Sequence, residues 1–388
     1  MNLEDVKAHY NARKKIGNVY RRTGKNEVIA DYYEELAEET GEENYKGNAE
    51  RIALCAKFWQ IDHYREQKVK DIKSIALCHD RFCDNCQNAQ SIRRERKFAP
   101  VLDWFAERFD VYHIVFTVPN PYPEELAPEL DVMYKNIGYI FRLFRGNAKI
   151  AGYDFRHYRC VGAVRSLEIT KGKDGETFHP HFHCLVLLKR GLQFGGKHIN
   201  SYSFNNDDVK KSHHKREEGK PQKRYFTDFE ILLQKIWRLR CDGERVNRKS
   251  IAELPEGYSV IMNKAKPKDY KEVFKYATKG IFNGKQSRGY NDFVPLVLAL
   301  KNRRITQGYG AFRCIDFNMY LEQEDEEETD KLLYENLIAG LKQEELPVPT
   351  VEELHSIYKA SQKEEITYIS RRSISAIMAE DYGGHENQ

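Results

Sequence analysis

The chain has 388 residues, 40% of them hydrophobic, with 63 Lys and Arg against 59 Asp and Glu. That length gives room for two to three domains and a sizeable core. No repeat or transmembrane run is present, and no G-x-x-x-x-G-K-[ST] loop, which excludes a membrane partner and a nucleotide-driven motor. The net charge of +4 hides an asymmetry: residues 321–388 carry 17 acidic and 6 basic side chains, a net of −11, which leaves +15 on residues 1–320. A basic body suits a polyanion.

Met1 is followed by polar and charged residues rather than an apolar signal segment, so a reducing, cytoplasmic compartment is expected. In that setting Cys78-His79-Asp80-Arg81-Phe82-Cys83-Asp84-Asn85-Cys86 reads as a metal knuckle rather than a disulfide framework. Cys55 is the expected fourth ligand, with His63 or His79 as substitutes, and a closed zinc site of this kind is structural. The isolated Cys160, Cys184, Cys241 and Cys314 read as small core residues. Ser91-Ile92-Arg93-Arg94-Glu95-Arg96-Lys97 is a basic helical stretch that either binds phosphates or forms a solvated face.

Val164 to Thr170 alternates like a strand, and Lys171-Gly172-Lys173-Asp174-Gly175 reads as a turn. The chain returns through His179-Pro180-His181-Phe182-His183, followed by the apolar run Cys184-Leu185-Val186-Leu187-Leu188. On a strand, His179, His181 and His183 project to one face. Imidazoles at i and i+2 can share a metal ion, and antiparallel pairing lays Glu168 beside them as an anionic third ligand. Cys184 points away from that face. Pro180, lacking an amide hydrogen, suits the first residue of the strand or an edge.

Lys210 to Pro221 has many charges and no periodicity, and reads as a loop able to track a DNA backbone. Phe229, Leu232, Leu233, Ile236 and Trp237 recur at helical spacing and read as core. Asp269 to Gly280 reads as a helix capped at Gly280. Glu272 and Tyr276, four apart, share one face of it, with Lys279 three further on. A carboxylate, a phenol and an ammonium opposite a metal suit phosphate chemistry. Tyr270, six residues earlier, lies on a different face. In the tail, Glu322 to Glu328 is a solvated acidic block; Leu332, Leu333, Leu337 and Leu341 have helical spacing until Pro347 and Pro349 break the run. This tail reads as an appendage.

Together these residues resemble a rolling-circle replication initiator of the plasmid type, from the endonuclease superfamily named for histidine, hydrophobe, histidine. Phe116-Thr117-Val118-Pro119-Asn120 resembles the first motif strand and Leu167-Glu168-Ile169-Thr170 the strand before the metal motif. His179 to His183 resembles the metal motif, Glu272 to Tyr276 and Lys279 the nucleophile helix, and Leu300 to Gly310 the closing strand. The resemblance covers roughly residues 50 to 315. It implies that His181 and His183 hold magnesium or manganese while His179 is a neighbour, although coordination preference alone would also suit zinc. It further implies that Tyr276 attacks single-stranded or cruciform origin DNA. The products are a 5′-phosphotyrosyl link and a free 3′-hydroxyl, with Lys279 adding positive charge and Glu272 acting as the base that ends the round. A host helicase and polymerase are the implied partners.

The expected fold is α+β: an antiparallel sheet carries the histidines on a central strand and the tyrosine helix packs against it. The expected domains are residues 1–98 with the knuckle, 99–320 as the nicking unit, and 321–388 as a helical acidic tail. A conjugative relaxase, a one-tyrosine transposase, a zinc-dependent DNA-binding module and a zinc hydrolase remain as rival readings. The relaxase would place its tyrosine ahead of the histidines, and neither Tyr10 nor Tyr20 sits in a matching context.

Overall fold

The computed structural model describes residues 3–64, 69–146, 149–199, 225–274, 278, 287–317, 326–361 and 370–373. In chain order the first elements are helices α1 (Leu3–Thr40) and α2 (Glu43–Leu54), strands β1 (Trp59–Tyr64) and β2 (Val69–Ile75), and helix α3 (Asp84–Ala106). Strand β3 (Asp110–Thr117), helix α4 (Leu126–Phe144), the short β4 (Lys149–Ile150) and β5 (Tyr153–Asp154), then β6 (Gly162–Lys171) and β7 (Phe178–Leu188) follow. The chain continues through β8 (Lys197–Ile199), β9 (Tyr225–Thr227), α5 (Asp228–Cys241), α6 (Arg248–Glu253), β10 (Val260–Lys264) and α7 (Tyr270–Phe274). It ends with α8 (Tyr290–Leu300), β11 (Thr306–Gly310), α9 (Glu326–Gln343), α10 (Val351–Ser361) and β12 (Ser370–Ser373).

The centre is a five-stranded antiparallel sheet in the order β10-β3-β7-β6-β11, a mixed α/β architecture with the histidine strand in the middle. A second sheet, β12-β1-β2, lies near the N-terminal helices. The β6–β7 hairpin sets the register that matters: Val164 faces Leu185, Ser166 faces His183 and Glu168 faces His181. Because alternate residues share a face, Val164, Ser166, Glu168, His181, His183 and Leu185 all project to the same side. Pro180 sits inside β7, but β3 ends opposite His181, so β7 has only β6 as a neighbour at that point. Its missing amide therefore costs no ladder bond on that side.

The two faces of the sheet bury different cores. On one, Ile114, Phe116, Leu167, Phe182 and Cys184 pack with α4, α5 and α8. Helix α5 starts at a capping box in which Thr227 Oγ1 accepts from the Glu230 amide at 3.1 Å and the Thr227 amide donates to Glu230 at 2.8 Å. It buries Phe229, Leu232, Leu233, Ile236 and Trp237, as their spacing predicts. On the other face, Val111, Val164, Leu185 and Leu187 pack with α3 and with Tyr270, Val273 and Phe274 of α7. The metal-motif side chains lie on this second face, the one that α7 covers.

Four expectations need correcting. The tail is no appendage: Leu333, Leu337 and Leu341 of α9 and Ile357 of α10 belong to the second core beside Phe98, Val101 and Leu102. Burying each such side chain contributes about 1.5–3 kcal/mol. A Cβ at Gly340 would collide with the Ala311 carbonyl, so the helix lies against the body at a distance only glycine permits. Its acids also meet the basic body, with Glu344 at 2.7 Å from Arg145 and 3.2 Å from Arg313, and Glu353 paired with Arg108. The net charge of the segment concealed this, because its apolar stripe and acidic face occupy different sides of one helix.

The basic stretch in α3 is also not uniformly available to phosphate: Lys97 is buried and bonds Asp330 of α9 at 2.6 Å. Finally, Cys160 and Cys184 are buried and the half-buried Cys241 packs against the first core, but the half-buried Cys314 belongs to neither core. Helix α3 runs unbroken through position 98, where a domain boundary was expected. The loop from Lys210 to Pro221 and the acidic residues Glu322 to Asp325 lie outside the described residues.

Candidate metal centre and cysteine knuckle

Glu168, His181 and His183 each offer one ligand atom, and all of these lie within 4.8 Å of one another. Glu168 Oε2 is 3.3 Å from His181 Nε2 and 2.8 Å from His183 Nε2. The far nitrogens are held as well. His181 Nδ1 lies 3.1 Å from the His179 carbonyl oxygen, which can only accept, so Nδ1 carries the proton there. Nε2 is then a lone-pair donor aimed at a carboxylate, and a proton or a cation must lie between them. This donor set, two imidazoles and one carboxylate, fits a divalent cation. Burial alone would raise the Glu168 carboxyl, but hydrogen bonds to His181 and His183 outweigh it and hold the group well below the usual carboxylate range.

His183 is oriented from a strand that sequence reasoning passed over. His113 of β3 places Nε2 at 3.0 Å from His183 Nδ1, with the two rings stacked at 5.2 Å between centroids. Such partners fix ring orientation and tautomer in metal sites. Only the period-two alternation of β3 toward the same face could have flagged it. His179 bonds Asn120 Oδ1 at 2.7 Å and does not join the ligand group. Substituting His181 or Glu168 by Ala should raise the manganese concentration needed for half-saturation at least about tenfold, measured by titration calorimetry. Unchanged affinity in both variants would remove these side chains as ligands.

The tyrosine helix is described only in part. Tyr270, Val273 and Phe274 of α7 are buried against β6 and β7, and Glu272 is half-buried. Tyr276, Lys279 and Gly280 lie outside the described residues. Tyr270 bonds Asp103 and its hydroxyl is pushed up to about 12, chiefly by burial and then by the Asp103 charge.

The second cluster brings Cys55, Cys78, Cys83 and Cys86 together, again with ligand atoms all within 4.8 Å. Cys83 Sγ lies 3.3 Å from Cys55 Sγ, and Cys86 Sγ lies 3.6 Å from Cys55 and 3.5 Å from Cys78. Cys55 thus takes the fourth place left open by the sequence; His79 instead donates its backbone amide to Cys86 Sγ at 3.2 Å. Asn26 of α1 donates Nδ2 to Cys83 Sγ at 3.1 Å and accepts from the Asp84 amide at 3.1 Å. Contact with Cys55, Cys78 and Cys83, together with the His79 amide, lowers the Cys86 thiol, while the other thiols raise Cys83. Four converging sulfurs with amide donors fit a closed tetrahedral metal site. One zinc per chain is expected on elemental analysis, and replacing Cys78, Cys83 or Cys86 by Ser should release it and make the N-terminal region protease-sensitive.

Comparison with known proteins finds a likeness over part of the chain. Residues 69–201 match the family model described as replication protein. That segment is similar to a replication-protein domain. The chain is 25% identical over 174 residues to the "Protein rep" of Bacillus amyloliquefaciens, covering 44% of this chain and 48% of that protein. A "Protein rep" of a Bacillus species is 24% identical over 173 residues, 44% of this chain and 53% of the relative. One from Streptococcus pneumoniae serotype 2 is 23% identical over 143 residues, 36% of this chain and 41% of the relative. The chain therefore spans about half the length of the curated relatives it matches. No solved structure matches it significantly. The matched segment contains Cys78, Cys83, Cys86, Glu168, His181 and His183, while Cys55 precedes it. Among the described residues, no helix is long and apolar enough to cross a membrane.

Proposed function

We propose that this protein initiates rolling-circle replication by nicking single-stranded origin DNA. The observation that carries the reading is the Glu168–His181–His183 group on the sheet face that α7 covers, in a chain similar over residues 69–201 to a replication-protein domain. Tyr276 follows α7 by two residues and is assigned as the nucleophile. Its phenol oxygen bonds to phosphorus, the 3′-oxygen leaves as a free hydroxyl that a host polymerase extends, and the 5′ end stays linked to the protein. Magnesium or manganese, held by Glu168, His181 and His183, would polarise the non-bridging phosphate oxygens. Lys279 adds positive charge near them. Cys55, Cys78, Cys83 and Cys86 hold a structural zinc. Strand separation falls to a host helicase, which places the protein with the replication machinery in the cytoplasm.

The deciding experiment incubates the full chain with single-stranded DNA carrying its origin and manganese, then looks for a covalent protein–DNA adduct on a denaturing gel. An adduct that depends on the metal supports the reading; no adduct with any origin strand refutes it.

Glu272 separates an initiator from a simple nickase. With Tyr276 consumed in the first link, the second cleavage needs another nucleophile. A carboxylate four residues before it in the chain is the proposed base that activates water at the same phosphate. Glu272→Gln keeps the shape and removes the base, so the first nick is expected to survive while multimeric displaced strands accumulate. Loss of the first nick would instead assign Glu272 to Tyr276 or to the metal.

A further inference from the structure

A cavity of about 590 Å³ lies between the cysteine knuckle and the turn that leads into β11. Its walls carry Arg51, Arg81, Arg94, Lys301, Arg303 and Arg304 against a single carboxylate, Asp80. That carboxylate is engaged from within: it is buried, accepts from the Phe82 amide at 2.7 Å and receives the Tyr33 hydroxyl at 3.3 Å. Lys301 and Arg303 meet acids set outside the wall, Glu42 at 3.6 Å and Asp131 at 2.6 Å. Arg51 bonds the neutral Asn48 amide, Arg81 the Leu300 carbonyl, and the Arg304 side chain is exposed. The wall as a whole keeps a surplus of cations.

This arrangement is built rather than incidental. Arg165 is almost wholly buried, and its Nη1 donates to the carbonyls of Arg304 and Ile305, each at 3.1 Å. Its other acceptors are Gln307 Oε1 at 3.0 Å and the Tyr309 hydroxyl at 3.4 Å, and its guanidinium lies 4.2 Å from the centre of the Tyr134 ring. A buried guanidinium held by neutral acceptors fixes the backbone at Arg304 and adds positive potential behind it. The Leu167 amide donates to the Ile305 carbonyl at 2.9 Å, one residue before Glu168. The β11 side of the cavity is thereby tied to β6, the strand that carries Glu168.

We propose that this cleft binds the phosphodiester backbone of single-stranded DNA and holds the strand between the knuckle and β11, the sheet edge that borders the Glu168 strand. The knuckle then serves as one wall of the channel, with Cys78 and the segment to Phe82 forming its surface. That the ligand is DNA rests on the nicking reading; that it is a polyanion rests on the wall itself.

The test uses the full zinc-loaded chain and the triple variant Arg51→Gln, Lys301→Gln, Arg304→Gln, which alters exposed side chains and should leave zinc content and melting unchanged. Binding of fluorescent oligo-dT is followed by anisotropy across a salt series. The variant is expected to bind at least about tenfold more weakly at moderate salt. The slope of log affinity against log salt should fall by about 2, as three single-strand phosphate contacts imply. Equal affinity and slope in the two proteins overturn the proposal. Weaker binding of free inorganic phosphate alone, with oligo-dT unaffected, overturns it too. A short origin oligonucleotide ending close to the nick separates the two readings, because the variant should form its adduct as the parent chain does. Should neither protein form an adduct while oligo-dT binding still falls in the variant, the nicking reading fails and the cleft stands.

Discussion

Replacing Tyr276 by Phe is expected to abolish the covalent adduct and to lower nicking by at least about a thousandfold, with DNA affinity and fold nearly unchanged. The substitution removes one oxygen, the atom that must bond to phosphorus, and keeps the ring. Helix α7 is anchored without that oxygen, through Tyr270, Val273 and Phe274 against the second core. The natural rival is Tyr270, and its surroundings argue against it. It is 2% exposed, bonds Asp103 and has its hydroxyl pushed up to about 12, so it is both enclosed and a poor source of phenolate. Tyr270→Phe should therefore leave the adduct intact while costing about 1 kcal/mol of stability from the lost hydrogen bond. An adduct that survives Tyr276→Phe and disappears in Tyr270→Phe would reverse the assignment.

How far the sequence could be read depends on the range of the interactions concerned. The β6–β7 hairpin is local, and its turn and period-two alternation were enough to place Glu168 opposite His181. The same locality made Cys78, Cys83 and Cys86 readable as one cluster, and left the choice among Cys55, His63 and His79 open because that partner comes from another element. Groups that act across long separations left no trace. His113 reaches His183 from seventy residues away, and Asn26 supports Cys83 from a helix with no motif of its own. The tail shows the limit differently. The stripe Leu333, Leu337 and Leu341 was visible, but periodicity says that a face is apolar, not what it covers. Lys97 looked like one more cation in a basic run, and only its position on α3 turns it inward to Asp330.

Asp330→Ala should lower stability by about 3–5 kcal/mol, because it leaves the buried Lys97 ammonium without its carboxylate. Both side chains are almost fully enclosed, at 2% and 1% exposure, so water cannot take the place of the lost partner. For a body of this size the melting temperature should drop by roughly 10 °C. Replacing the pair together, as Lys97→Met with Asp330→Leu, should restore most of the loss, since a buried ion pair is often matched by apolar groups of similar volume. A third variant, Gly340→Val, attacks the same joint sterically by forcing α9 away from the Ala311 carbonyl, and should also destabilise. If Asp330→Ala and Gly340→Val both melt with the parent chain, α9 does not close the second core and the tail returns to being an appendage. If they melt early and the double substitution recovers, the acidic segment is the cover of Phe98, Val101 and Leu102. The face that holds the tyrosine helix then depends on it for its stability.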